Sequence, residues 1–180
     1  MILIEPDAAT PKNLSVSKKR KAALKLRELR EFLSQAKSAV GLRGEVSVLL
    51  AGDATVRTLN RNFRKKDKTT DVLSFPVDEF HGDAPRQAGD LAISLDMAQK
   101  QADEHGHTLQ VEVRILMLHG LLHLAGYDHE TDNGKMARKE KALRKELDLP
   151  RGLIQRSEKA GAPRKMAKKS AAASVRSRPQ

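Results

Sequence analysis

The stretch TLQVEVRILMLHGLLHLAGYDH, from Thr108 to His129, decides how this chain is organised. Its apolar residues, Leu109, Val113, Leu116, Met117, Leu121 and Leu122 among them, lie on every side of a helix, the pattern of a buried central helix. Thr108 opens the helix, and Gly126 ends it as a left-handed residue just past the last turn. Other elements must therefore pack around it. On its C-terminal side Met136, Leu143 and Leu147 stand among many charges and predict a last helix that runs to about Leu147. On its N-terminal side DVLSFP (71–76) and GDLAIS (89–94) are short strands separated by a polar loop, and Ser94 is placed to cap a helix after the second. Further upstream, Ala22, Leu26, Leu29, Leu33, Ala36 and Val40 draw one apolar stripe on a helix from about Ser17 to Val40, with a basic outer face. EVSVLLAG alternates as a strand, and Leu49 on its second face predicts cover on both sides. Asp53 follows as the N-cap of a short helix bearing Val56, Leu59 and Phe63. With the opening ILI as another strand, the order is β, α, β, α, β, β and then helices. The expected fold is α+β, a mixed layer of about four strands packed by helices, with no internal repeat.

A chain of 180 residues suits one domain with ends. No cysteine is present, which excludes disulfides and thiolate metal sites and leaves histidine, carboxylate and water as ligands. MILIEPDAAT lacks a basic n-region followed by an apolar run, and nothing approaches the ~20 apolar residues of a bilayer span, so a cytoplasmic protein without membrane contact is expected. The net charge of +11 points to a polyanionic partner. Eight Lys or Arg against one Glu fall in Arg156–Gln180, so the remainder is only modestly basic. The reading is a domain over residues 1–150 and a basic C-terminal tail over 151–180. With almost no large apolar residue, the tail is expected to be disordered, either as an arm that tracks nucleic acid or as a solubilising extension.

Three of the six histidines lie in HGLLHLAGYDH, His119 to His129. His119 and His123 are four apart, on one helix face, and can share an ion at the ~2.0–2.1 Å of a Zn–N bond. Gly126 permits the turn that brings His129 back as a third nitrogen. Three protein ligands leave one position of a tetrahedral zinc open, as in catalytic sites. A lone histidine on a helix usually packs or faces solvent. Two imidazoles in an otherwise apolar helix would each cost roughly 1–3 kcal/mol unsatisfied, and a metal answers that cost. One zinc per chain is expected, ahead of nickel, copper or iron. His81, His105 and His107 are read as surface residues. The spacing HxxxHxxGxxH is also that of metzincin proteases, but they need a glutamate directly after the first histidine, and Gly120 stands there.

The second informative stretch, LNRNFRKKDKTTDVLSFP (59–76), belongs to a run in which Arg57–Lys68 holds six cations and one Asp. Read as a helix-to-strand loop, it can clamp phosphates. This stretch, then GDLAIS, then HGLLHLAGYDH resemble, in order, the three motifs of the YbeY endoribonucleases, over about Leu49 to Leu147. The resemblance implies a metal-dependent endoribonuclease directed at single-stranded RNA, acting in maturation of the 3′ end of 16S ribosomal RNA and in ribosome quality control, with the small ribosomal subunit as partner. It implies His119, His123 and His129 as zinc ligands and Arg64 as the functionally important arginine. Phe63 stands where tyrosine is common, and the basic tail has no counterpart in the family pattern.

The chemistry fits: water, or the RNA's own 2′-hydroxyl, attacks the phosphodiester with zinc as Lewis acid, while Arg64 meets the charge on the phosphoryl oxygens. Gly120 is read as leaving room for a nucleotide, and Asp128 as either orienting an imidazole or capping the last helix. No stacking platform for bases is evident, since Tyr127 and four phenylalanines are the only Tyr, Phe or Trp residues of the chain and most of the five are expected in the core. Two other classes stand beside this reading. A zinc-containing ribosome assembly factor with little nuclease activity would bind ribosomes without Arg64, and a hydrolase of another phosphoester would prefer mononucleotides.

Overall fold

A computed structural model of the chain describes residues 1–5, 23–77, 87–129 and 131–150. The expected tail, the loop with His81 and the first turns of the expected N-terminal helix lie outside these residues. Four strands, β1 (Ile2–Ile4), β2 (Glu45–Ala51), β3 (Val72–Pro76) and β4 (Gln87–Ser94), form one sheet in the order β1-β2-β4-β3. β1 and β4 flank β2 in parallel, and β3 closes the edge antiparallel to β4. Five helices are described: α1 (Leu26–Val40), α2 (Asp53–Arg64), α3 (Leu95–His105), α4 (Leu109–Leu124) and α5 (Lys135–Glu146). The expected α+β layer with a four-stranded sheet is what forms.

α4 is the buried centre. It packs against α1, α3, α5, β3 and β4, and Val113, Ile115, Leu116, Met117, Leu118, Leu121 and Leu122 are all fully buried. Its N-terminus is fixed by Thr108 Oγ1, which accepts from the Val111 N–H at 3.3 Å, and Ser94 caps α3 in the same way at 3.1 Å from Met97. Val46, Val48, Leu50, Leu91 and Ile93 point from the sheet into the core that α4 shares. Ala51, Leu73 and Ala92 point to the other face, where Val56 of α2 covers them. Cover on that face is partial: Leu49 is half-buried, and Leu3 stays 47% exposed.

The boundaries differ from expectation where side chains compete for the backbone. Residues 23–25 are not helical: the Lys25 N–H donates to Gln110 Oε1 and its carbonyl accepts from Gln110 Nε2, while Leu24 is buried in the core. α1 therefore starts at Leu26, and its stripe of Leu29, Phe32, Leu33 and Ala36 is buried. Asp53 is the first residue of α2 rather than its cap. The Gly52 and Asp53 N–H groups are taken by the carboxylates of Glu5 and Asp96, and Asp53 itself accepts from Ser94 Oγ. No helix among the described residues is long and apolar enough to cross a membrane.

Candidate metal centre

The last turn of α4 and the bend after it bring the three histidines together. The Gly126 N–H donates to the His123 carbonyl and the Tyr127 N–H to that of Leu122, each at 3.0 Å, and Gly126 has φ +84°. This pair of bonds is a Schellman ending, which needs a left-handed residue where Gly126 stands. The next turn is closed by the Asp128 carbonyl, which accepts from the Thr131 and Asp132 N–H groups, and by Asp128 Oδ2, which accepts from Thr131 Oγ1. His129 is held in that turn. One ring nitrogen from each of His119, His123 and His129 lies within 4.8 Å of the other two. The Nε2 atoms of His119 and His123 are 3.2 Å apart, close to the roughly 3.3 Å edge of a tetrahedron drawn with Zn–N bonds of ~2.0–2.1 Å.

A residue not singled out in the sequence orients His119. It is Glu140 of α5, only 1% exposed: its Oε2 lies 3.3 Å from His119 Nδ1. A carboxylate only accepts, so Nδ1 carries the proton and Nε2 keeps its lone pair toward the other imidazoles. Glu140 is gripped in turn by Arg144, whose Nε and Nη2 reach Oε1 at 2.7 and 2.6 Å, and Arg144 Nη1 donates to the Pro150 carbonyl. A signal was present in the sequence. Glu140 falls four residues after Met136 and three before Leu143, inside the stripe of α5 that faces the core. The N-cap of α5 is Gly134, not Asp128, and Asp132 Oδ2 accepts from the Met136 N–H at 2.6 Å.

Burial holds the His123 imidazole down to a pKa of about 4, assisted by the neighbouring His119 and His129 and opposed by Tyr127 and Asp128. At neutral pH it is an unprotonated donor, as a metal ligand must be. A buried carboxylate on the far nitrogen of His119, a neutral His123 and the three imidazole nitrogens all suit a divalent ion such as zinc.

Gly120 makes no room for a nucleotide. It is buried, and a Cβ there would stand 2.7 Å from Leu91 Cδ2 and 3.4 Å from Ser74 Oγ. The glycine lets α4 sit close on the sheet. Ser74 Oγ donates to the Gly120 carbonyl at 3.3 Å, and the Ser74 carbonyl accepts from Arg64 Nη2 at 3.1 Å. Arg64 is thus tied to edge strand β3, one hydrogen-bonded residue away from the helical turn that bears His119. The cationic run is helix for its first eight residues rather than loop, with Lys65 as a left-handed cap at φ 59°. Buried Asn60 shapes the turn that follows by donating to the Lys68 carbonyl at 2.8 Å. Arg57 is paired with Asp67 at 2.7 Å, so Arg61, Lys65, Lys66 and Lys68 are the exposed cations left around Arg64.

Two further expectations are corrected. His107 is not a surface residue: its Nε2 meets the fully buried Glu112 carboxylate, and its side chain is 13% exposed. Phe63, expected on the apolar stripe of its helix with Val56 and Leu59, is 67% exposed at the end of α2. His105 is exposed as expected.

A family model described as Endoribonuclease YbeY matches residues 9–148. The chain is 49% identical over 144 residues to the Endoribonuclease YbeY of Koribacter versatilis, covering 80% of this chain and 91% of that one. It is 47% identical over 149 residues to the Endoribonuclease YbeY of Solibacter usitatus, covering 82% and 97%. A solution structure of a Thermotoga maritima protein shares 26% identity over 92% of this chain and 98% of its own, with a TM-score of 0.45.

Proposed function

The chain belongs to the YbeY endoribonuclease family, and on that premise we propose that it is a zinc-dependent endoribonuclease that cuts single-stranded RNA. Its task in this reading is late maturation of the 3′ end of 16S rRNA and ribosome quality control, in the cytoplasm and on the small ribosomal subunit. Residues 1–150 form the nuclease domain, and the basic residues of 151–180 add RNA contact. The observation that carries the reading is the convergence of His119, His123 and His129 within 4.8 Å, with one ring pinned by a buried carboxylate.

Those three imidazoles would hold one zinc ion, which when bound supplies a Lewis acid for a phosphoryl oxygen and lowers the pKa of water. The residues of the chain do the rest. Glu140 keeps His119 in the tautomer that offers Nε2. Arg64 uses one Nη on Ser74 and has further N–H groups for the non-bridging oxygens, where charge accumulates during attack. Arg61, Lys65, Lys66 and Lys68 hold the flanking phosphates. A carboxylate at position 120 would be driven into Leu91, so peptide hydrolysis through a glutamate there has no support.

The test offers zinc-loaded protein a single-stranded RNA, its duplex and a peptide. Cleavage confined to the single strand is expected. Peptide turnover, or equal cleavage of the duplex, contradicts the proposal.

A further inference from the structure

On the sheet face away from α4 lies a groove of about 520 Å3 that the chemistry above leaves unused. Leu49, Asp90 and Ala92 line it from the sheet, Leu59 and Phe63 from α2, and Phe75 from β3. Phe63 meets Phe75 edge to face, with ring centroids 5.3 Å apart at 72°, and remains 67% exposed.

One exposed phenylalanine is ordinary. The surroundings of this one are not. Arg61, Arg64, Lys65 and Lys66 lie within three residues of it, all exposed, and Asn60 holds the cationic turn against the end of α2 through the Lys68 carbonyl. The acidic residue of the run, Asp67, is engaged by Arg57. A largely apolar slot, whose one carboxylate, Asp90, accepts from Gln87 Nε2, with the cations of the α2 end beside Phe63, complements a ligand that has flat, apolar faces and a regular line of anionic charge, which describes unpaired nucleotides. A duplex hides those faces in its own stack.

The groove is also on a path to the histidines. β3 is the edge of the sheet, with Leu73 and Phe75 toward α2 and the Ser74 hydroxyl bonded to Gly120 on the α4 side. Arg64 grips the same Ser74. A chain leaving the groove over this edge meets Arg64 before it reaches the face that carries His119. We propose that Phe63 and its groove stack an unpaired base flanking the bond to be cut, and that this contact contributes the preference for single strands. The inference rests on the nuclease reading above.

Full-length, zinc-loaded Phe63→Ala, Phe63→Leu, Phe63→Tyr and Phe63→Trp are compared with wild type on a single-stranded RNA carrying 2-aminopurine near the cleaved bond. Because Phe63 is largely exposed, all four are expected to fold, which circular dichroism checks. The alanine and leucine variants should raise KM about ten-fold and lose quenching of the 2-aminopurine on binding, while tyrosine and tryptophan restore both. Leucine matching wild type would show an apolar patch rather than a stacking site and overturn the inference. So would an unchanged KM in Phe63→Ala, including the case where that variant turns a dimer into a monomer in sedimentation and the groove proves to be a self-association surface. In those outcomes wild type still cuts RNA and the nuclease reading stands. A wild type that neither quenches nor cuts removes both.

Discussion

His119 and Glu140 meet across the contact between α4 and α5, with Nδ1 3.3 Å from Oε2. A residue 21 positions downstream thus decides which nitrogen the first histidine turns toward the cluster. Glu140→Gln should weaken zinc binding about 10–100-fold, because the amide no longer draws the Nδ1 proton as a carboxylate does. Competition with a zinc-binding dye measures this independently of RNA cleavage. Unchanged affinity would show that packing alone orients His119.

Arg144 tests the other end of the same relay. Arg144→Met removes the guanidinium paired with the buried Glu140 carboxylate and should cost up to about 3–5 kcal/mol of unfolding free energy, read from urea denaturation. Replacing both residues, as Glu140→Leu with Arg144→Met, should cost less than Arg144→Met alone. A double variant that is less stable than the single one would contradict the charge argument.

Much of this architecture was legible because burial repeats with a period. α4 declared itself by being apolar on every side, and the three histidines by a spacing that only a helix and its C-terminal turn convert into one cluster. What was not legible depends on contacts across long stretches of sequence. The spacing of Glu140 from Met136 and Leu143 places it on the buried stripe of α5, but its partner is not read until α5 is seen to lay it against His119. Gly120 reads as space for substrate until Leu91 is found against it. Phe63 follows the apolar spacing of α2 yet meets only the edge of the sheet, through Phe75, and stays 67% exposed.

Gly120→Ala puts a methyl group 2.7 Å from Leu91 Cδ2 and 3.1 Å from Leu91 Cδ1, inside van der Waals contact with both ends of a buried side chain. The variant should lose about 1–3 kcal/mol by overpacking. Leu91→Ala in the same chain should recover part of the loss. Wild-type stability in Gly120→Ala would mean that the helix and sheet are less tightly apposed.

The metal-free protein should lose stability as pH falls from about 6.5 to about 4. In the unfolded chain His123 takes up a proton near 6.5, whereas in the fold it resists until about 4. Between those values the unfolded state binds more protons, so acid favours it. Urea midpoints of chelator-treated protein across this window measure the slope, which His123→Gln should flatten. An identical slope in the variant would assign the acid sensitivity elsewhere.

Arg64→Ala should leave zinc content and fold intact and slow cleavage of bound RNA by ~10²-fold or more. Arg64→Lys should recover only part, since an ammonium cannot make the two parallel bonds of a guanidinium. Single-turnover rates at saturating protein separate this from weakened binding. A wild-type rate in the alanine variant would leave the chemistry to the histidine cluster alone.

The most direct test of the account is metal content measured beside activity in wild type and His123→Ala. Elemental analysis of wild-type protein should give about one zinc per chain together with cleavage of single-stranded RNA. His123→Ala, folded by circular dichroism, should lose both, since two nitrogens and water hold zinc poorly. Stoichiometric zinc in that variant, or undiminished cleavage without zinc, would contradict the assignment of His119, His123 and His129 as the ligands of a metal on which the reaction depends.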